Sequence, residues 1–505
     1  MKFLKITLLV AIFIAAGAIF THSLSSINQD IGRHLKTGQI IWDTHSIPKT
    51  NLFSYTEPET HFINHHWLSE VVFYLLNIYI GLKGLILFKV GVLLLALWLL
   101  WRGVSNKVEA LPFTVATLLG LLVILDRTDV RPEIFSYLFL AYFLFAILKS
   151  KYSQTSKWLY ALPVAQIFWT NMHIYFILGP ALIGLYALER WANKESDWSF
   201  VAKITGLSLV ATLINPNGIF GALAPLTIFN NYGYSIAENQ SVLFLKNYGI
   251  LLTQINIFIL TLVLFWLSYI PTIKKIGTRG YIFEIGTGLA FSVLGFDMIR
   301  NFGPYAIILI PILALNIQAW LSPVFSKPKI LNFFYALLIL ICILVINSVV
   351  HSNFYRWADS RENFGLSIST SAEGGVNFVK KNKIFGPVFN NFDVGSYLIW
   401  KLYPDQKVFV DGRPEAYTPK FFSDIYKPMQ ENPDIWNYYA NDIYRINYIF
   451  FDYHDITPWA QTFLSFISQD KNWPLIYQDD SVAIFIRNSK ENSPIINKYK
   501  KTPNQ

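Results

Sequence analysis

The feature that most constrains this chain is the recurrence of apolar stretches, roughly twenty residues long, in which charge almost vanishes. A helix of that length crosses a bilayer, and a backbone in hydrocarbon must satisfy its own hydrogen bonds, which helices do. Residues 3–20, 84–101, 111–126, 134–148, 158–170, 174–189, 200–214, 250–270, 282–298, 303–321 and 329–350 are candidate spans, about eleven in all. Composition agrees. Hydrophobic residues make up 53% of the 505 and charged residues only 14%, against about a quarter in soluble proteins. A soluble enzyme is excluded. The single cysteine, Cys342, lies in the last apolar run, so no disulfide or cysteine-ligated metal cluster forms within one chain.

The first run follows Lys2 and contains the small residues Ala15, Ala16, Gly17 and Ala18. It exceeds the roughly 7–15-residue core of a signal peptide, so an uncleaved anchor is expected. With the N-terminus in the cytoplasm, the inner loops hold Arg102 and Lys107; Lys149, Lys151 and Lys157; Arg190, Lys194 and Lys203; Lys274, Lys275 and Arg279; Lys327 and Lys329. Basic residues on one side set membrane orientation, which accounts for much of the +9 formal charge without nucleic acid as a partner. The spans 158–170 and 174–189 meet at Asn171 and His173, predicting a tight re-entry at one face.

An odd number of spans puts the tail outside. There, turn signals (Gly374-Gly375, Phe385-Gly386-Pro387, Asp411-Gly412, Asp479-Asp480) separate strand-like runs at 407–410 and 448–451, an amphipathic helix at 459–468 and a closing strand at 481–486. The expected organisation is a membrane domain over 1–350 with a large outer loop at 23–81. An extracytoplasmic α/β domain follows over 351–488, then a disordered end at 489–505.

Ionisable groups collect at the predicted outer face: Asp30, Arg33, His34, Lys36, Asp43, His45, His65, His66 and Glu70 in the first loop, and Asp126, Arg127, Asp129, Arg131 and Glu133 in the second. Later corners add Asn171, His173, Asn215, Glu238, Asn239, Asp297, Arg300 and Asn301, and the tail adds Asp393, Asp411, Arg413 and Glu415. Such groups are costly near hydrocarbon, and their clustering marks a candidate site. Structural readings stand beside this one. Asp30 and His34 share a helix face at four-residue spacing. His65 and His66 point to opposite sides, against a joint metal site. Arg131 before Pro132 also fits a helix start, and Arg300-Asn301 an interfacial anchor.

The stretches Asp30-Ile31-Gly32-Arg33-His34-Leu35-Lys36-Thr37-Gly38, Ile47-Pro48, Phe53-Ser54-Tyr55-Thr56 and His66-Trp67-Leu68-Ser69-Glu70 resemble a widespread group of bacterial multi-span membrane proteins of the GT-C glycosyltransferase type. Arg131-Pro132, Trp169-Thr170-Asn171-Met172-His173, Asn215-Pro216-Asn217-Gly218 and Arg300-Asn301 extend the resemblance across the membrane part. In the tail, Asn391-Phe392-Asp393-Val394-Gly395-Ser396-Tyr397 is similar in layout to the Trp-Trp-Asp-Tyr-Gly signature of oligosaccharyltransferases, without its two tryptophans. The adjacent acidic pair of protein mannosyltransferases is also absent, since Ile31 follows Asp30.

The resemblance implies an α-helical polytopic membrane enzyme with an extracytoplasmic α/β domain, in a bacterial cytoplasmic membrane. It would transfer a sugar, with inversion, from a polyprenyl-phosphate donor to a glycan, lipid or protein acceptor of the envelope. The acceptor hydroxyl needs a general base: Asp30 first, Asp129 second, with His34 orienting. The phosphate leaving group needs cationic or hydrogen-bonding partners: Arg131, Arg300, His173 and Asn171. Asp393, Asp411 and Arg413 would meet the acceptor or form a lid. A divalent metal, Mg2+ or Mn2+, would take Asp30 and Asp129 as hard oxygen ligands. Two rivals remain. A transporter or flippase of lipid-linked sugars predicts mid-span polar groups and internal repeats, and few charges and no repeat are evident. A non-catalytic scaffold with an outer binding domain predicts dispersed polar side chains.

Overall fold

The computed structural model describes residues 2–25, 30–228, 232–321, 327–360, 362–369 and 371–499. In chain order its main helices are α1 (Lys2–Phe20), α2 (Ile31–Thr44), α3 (Trp67–Val104), α4 (Ala110–Ile124), α5 (Glu133–Ser153), α6 (Leu162–Met172), α7 (Leu178–Ala192), α8 (Trp198–Ala211), α9 (Gly218–Thr227), α10 (Val242–Asn247), α11 (Leu252–Ile276), α12 (Ile282–Asp297), α13 (Phe302–Leu321) and α14 (Pro328–Val350). The chain divides into two compact units. One comprises Met1–Leu24, Ile80–Pro225 and Ile236–Ser367; the other comprises Ser25–Tyr79, Leu226–Ser235 and Ile368–Gln505.

The first unit is a helical bundle in which α13 lies along α4, α1 along α14 and α7 along α8. Its outer surface is apolar. On α1, Phe3, Ile6, Val10 and Ile14 are all exposed, spaced three or four residues apart so that they form one stripe. The helix α14 has a mean hydropathy of 2.8, yet only 22% of that window is buried. An apolar face of this extent is not stable in water; it is the surface of a multi-pass membrane protein.

Among the described residues, seven helices are long and apolar enough to cross a membrane. The other predicted spans are helical but shorter: α6 has 11 residues, α7 15, α8 14 and α12 16. Their helices stop where polar corners intervene, at His173 after α6 and at Asn215 shortly after α8. Lys151, expected in a solvated basic loop, lies in the last turn of α5, where its ammonium pairs with Glu189 at 2.7 Å and Glu284 at 2.6 Å. Burial has turned a topogenic lysine into an internal ion pair.

The second unit draws together the tail and much of the segment expected to be an outer loop. Its sheet comprises β1 (Val388–Asn390), β2 (Tyr448–Asp452), β3 (Leu475–Gln478) and β4 (Val482–Ile486), in the order β1-β2-β4-β3. The first pair is parallel, with Val388 opposite Tyr448, and the others are antiparallel, with Tyr448 opposite Ile486. All five residues of β4 are buried, the mark of a strand covered on both faces. Val376, Leu398, Phe450, Ile476 and Ile484 belong to the core around it.

Three expectations are corrected here. Residues 31–44 form a regular helix, and α3 begins at Trp67 rather than near residue 84; it kinks at Gly81, whose φ is 67°. Residues 407–410 form no strand: Val408 makes an isolated bridge with Ser54. The end expected to be disordered includes a helix at Ser493–Tyr499 that buries Ile496, while residues 500–505 lie outside the described residues.

Within the second unit α2 crosses the start of α3 closely enough that a Cβ on Gly38 would stand 2.1 Å from the Glu70 carbonyl oxygen. No side chain fits without separating the helices. Gly38→Ala should therefore destabilise this unit by about 1–3 kcal/mol, the usual cost of overpacking. A thermal melt in detergent reads this, and an unchanged midpoint would contradict the close approach.

Candidate functional site

Each unit carries a cluster of buried charge. In the first unit, α4 ends in a turn that supplies Asp126 and Arg127, and the segment to α5 supplies Thr128, Asp129 and Arg131. Glu133 begins α5. Arg127 reaches Glu133 at 2.7 Å and Glu238 at 3.0 Å; Arg131 reaches the same Glu238 oxygen at 2.8 Å. Arg300 stands 3.9 Å from Glu133, and Tyr137 donates to the other Glu133 oxygen at 3.2 Å. Burial alone would push the Glu238 carboxyl up, but Arg127, Arg131 and Arg300 hold it well below the usual range. Three guanidiniums thus converge on two carboxylates. Beside them is a cavity of about 340 Å³, lined by Asp126, Arg127, Glu238, Gln254, Phe302 and Ser360 among others.

A second group in this unit surrounds His22. One ligand atom each of His22, Asp129 and Glu362 lies within 4.8 Å of the others. One imidazole nitrogen with two carboxylates is a donor set suited to zinc or a similar divalent ion, so these residues fit a metal. Burial pushes the Asp129 carboxyl up despite the charge of Arg131 beside it. It would also raise Glu362, but a hydrogen bond with His22 and the charges nearby hold that group below its usual value. Lys89, on α3, shares the site, with Nζ 2.9 Å from His22 Nε2.

The remaining residues predicted for this unit serve neighbouring corners. His173 caps α6 and meets Ser136 Oγ at 2.8 Å; its ring packs edge-on against Tyr175, whose hydroxyl donates to Asn301 at 2.9 Å. The Asn171 amide donates to the backbone carbonyls of Ile167 and Ile214 at 2.7 and 2.8 Å, which gives it a part in holding the α6 corner in place.

In the second unit, Asp30 caps α2 in the left-handed region at φ 54°, and Ser396 Oγ donates to it at 2.6 Å. Gly412 packs so closely that a Cβ there would stand 2.5 Å from Asp30 Oδ1. One turn along α2, His34 Nδ1 meets Glu70 at 3.0 Å, Arg33 donates to the same oxygen at 3.3 Å, and Asn64 donates to the other at 2.6 Å. Burial, then the charge of Arg33, lowers the His34 pKa, which favours a neutral imidazole. Asp411 is fully buried and grips Arg413 through two bonds of 2.7 Å, with Tyr417 donating to it at 2.9 Å. Arg413 also donates to Asn51 at 2.8 Å. Asp393, by contrast, is exposed in the first turn of the helix Phe392–Leu402.

Asp30 and Asp129, expected to share a metal, belong to different units; the companions of Asp129 within its own unit are His22 and Glu362. His22, Lys89 and Glu362 are absent from the residues predicted for the site. The available signal was Lys89, an ionisable residue within an apolar run, which by default marks function.

No family model matches the chain, and no curated protein sequence does. Solved structures do. The oligosaccharyltransferase of Archaeoglobus fulgidus in its apo form aligns with a TM-score of 0.62 at 10% identity, over 96% of this chain and 75% of that one. ArnT from Cupriavidus metallidurans in the apo state aligns at 0.56 and 12%, over 95% and 97%. The mycobacterial arabinofuranosyltransferase AftD aligns at 0.52 and 12%, over 97% of this chain and 40% of its own length. The Archaeoglobus enzyme has also been solved with zinc and sulfate, a form that aligns at 0.53. The chain therefore has the GT-C fold, an α-helical membrane part with a C-terminal α/β domain.

The Asp411–Arg413 pair carries a test of its own. Burial would raise the Asp411 carboxyl, but the adjacent guanidinium and its hydrogen bonds hold it below the usual value. A carboxyl depressed on folding contributes stability above its unfolded pKa, about 4, and loses it as pH falls through the lower folded value. Melts between pH 7 and 3 should show that acid loss, and Asp411→Asn should flatten it. Arg413→Ala, which leaves a buried carboxylate alone, should cost about 3–5 kcal/mol. A melt indistinguishable from the parent would refute this structural role.

Proposed function

We propose that this protein is a membrane glycosyltransferase that moves a sugar from a polyprenyl-phosphate carrier to a glycan, lipid or protein acceptor of the envelope, at the outer face of the cytoplasmic membrane. The observation that carries the reading is the convergence of Arg127, Arg131 and Arg300 on Glu133 and Glu238, with Arg127 lining a cavity, in a chain whose fold is shared with three sugar-transferring enzymes.

Transfer with inversion needs an acceptor oxygen that attacks the anomeric carbon as the carbon–oxygen bond to phosphate breaks. The proton of the acceptor hydroxyl goes to a base. Asp30 has that role in this proposal, its carboxylate oriented by Ser396. The electron pair of the broken bond stays on the lipid phosphate, whose added charge planar guanidiniums stabilise through paired hydrogen bonds. Arg131 and Arg300 are the donors in this role, and His173 supports their corner through Tyr175. His34, neutral and held by Glu70, orients the turn of helix that carries Asp30. The Asp411–Arg413 pair supports the Gly412 turn against Asp30, and Asp393 meets the acceptor. A metal, where bound, would be held by His22, Asp129 and Glu362 and would supply Lewis-acid stabilisation of the phosphate.

Two measurements test the reading. Asp30→Asn should lower transfer in isolated membranes by about 10²–10⁴-fold, the range for loss of a general base, with the folded yield kept; full activity would remove Asp30 from this role. A strain lacking the protein should lose one envelope glycan and accumulate the corresponding polyprenyl-linked sugar by mass spectrometry. An unchanged glycan and lipid profile would overturn the assignment.

A further inference from the structure

We propose that Lys89 is a built-in competitor for the His22–Asp129–Glu362 set, so that His22 serves either its ammonium or a divalent ion, never both. The argument rests on one imidazole ring. His22 Nε2 has two kinds of neighbour: the Lys89 ammonium at 2.9 Å, and the Thr128 carbonyl oxygen at 3.2 Å with the Thr128 hydroxyl at 3.0 Å. Nδ1 faces the Ser23 carbonyl at 3.1 Å and Glu362 Oε2 at 3.4 Å.

An ammonium has only donors. When Lys89 donates to Nε2, that nitrogen must offer its lone pair, so the ring proton sits on Nδ1 and points at Glu362 and Ser23. In this tautomer neither nitrogen has a lone pair left for a metal. Metal binding through Nδ1, the nitrogen that faces Glu362, needs the other tautomer, with the Nε2 proton donated to the Thr128 carbonyl; binding through Nε2 would displace Lys89 from that nitrogen outright. A backbone carbonyl in that position is the usual support for a metal-bound histidine. Both hydrogen-bonding patterns are therefore available around the same ring, and the Lys89 ammonium is compatible with only one of them.

Charge points the same way. Lys89 is 1% exposed on α3, and a buried ammonium requires nearby anions; Asp129 and Glu362 are the carboxylates grouped with its partner His22. A divalent ion among the same carboxylates would face that ammonium's repulsion across a few ångströms of protein interior. This inference is independent of the sugar-transfer reading, since its readout is metal affinity alone.

The test is zinc binding to the full-length protein in detergent, by titration calorimetry after chelation. The wild type should bind Zn2+ weakly at this site. Lys89→Met, which keeps the volume and removes the charge, should bind one equivalent at least tenfold more tightly, and adding His22→Ala should abolish the gain. Lys89→Gln, which keeps a donor for Nε2 without the charge, serves if the methionine variant does not fold and should fall between the two. Equal affinity in wild type and both Lys89 variants would overturn the proposal, as would tight His22-dependent binding by the wild type.

Discussion

Removing ionised side chains from water governs this structure more than any single packing contact. An unpaired buried charge is prohibitively expensive, and even a well-made pair rarely returns more than the desolvation it costs. The chain nevertheless buries Arg127 against Glu133 and Glu238, Arg33 against Glu70, Asp411 against Arg413, and Lys151 between Glu189 and Glu284. Since such pairs add little net stability, their value lies in geometry. Each fixes the angle and depth of the element that carries it. Glu133 ties the first turn of α5 to Arg127, and Glu70 ties the first turn of α3 to His34 on α2.

The two clusters have different chemical characters. The first-unit cluster is rich in guanidinium and lies beside a cavity, an arrangement that suits an anion with several oxygens. The second-unit cluster combines a carboxylate at a helix start with a neutral imidazole and a glycine turn packed against it. Buried acidic and imidazole groups in one unit and clustered guanidiniums in the other are thus each held by local ion pairs and hydrogen bonds. The shared fold supplies a framework on which both are built, and a fold alone does not fix a function.

Much of this was legible because hydrophobic periodicity and charge depletion are local properties. Long apolar runs became α1, α4, α13 and α14, and the short runs at 448–451 and 481–486 became central strands. What escaped depends on distant partners. The helix α2 reads as polar loop sequence, since Arg33, His34 and Thr37 occupy buried positions that hydropathy assigns to solvent. Lys151 reads as a loop charge because its carboxylates lie 38 and 133 residues away. His22 sits 67 residues from Lys89 and 106 from Thr128. In the tail, Asp393 and Asp411 look equivalent in sequence, and only the folded turn exposes one and buries the other.

The shortness of α8 also matters for the bilayer around it. Fourteen residues rise about 21 Å, against a hydrocarbon core of about 30 Å, while Leu207, Leu209 and Val210 face outward. Lipid that wets this flank must compress to match it, at a cost of a fraction of a kcal/mol per ångström. The same holds beside α6, which has only 11 residues. Lipid headgroups on the two faces would sit closer together beside α8 than beside the 23-residue α14, so the unequal helix lengths would set an uneven bilayer thickness around the bundle.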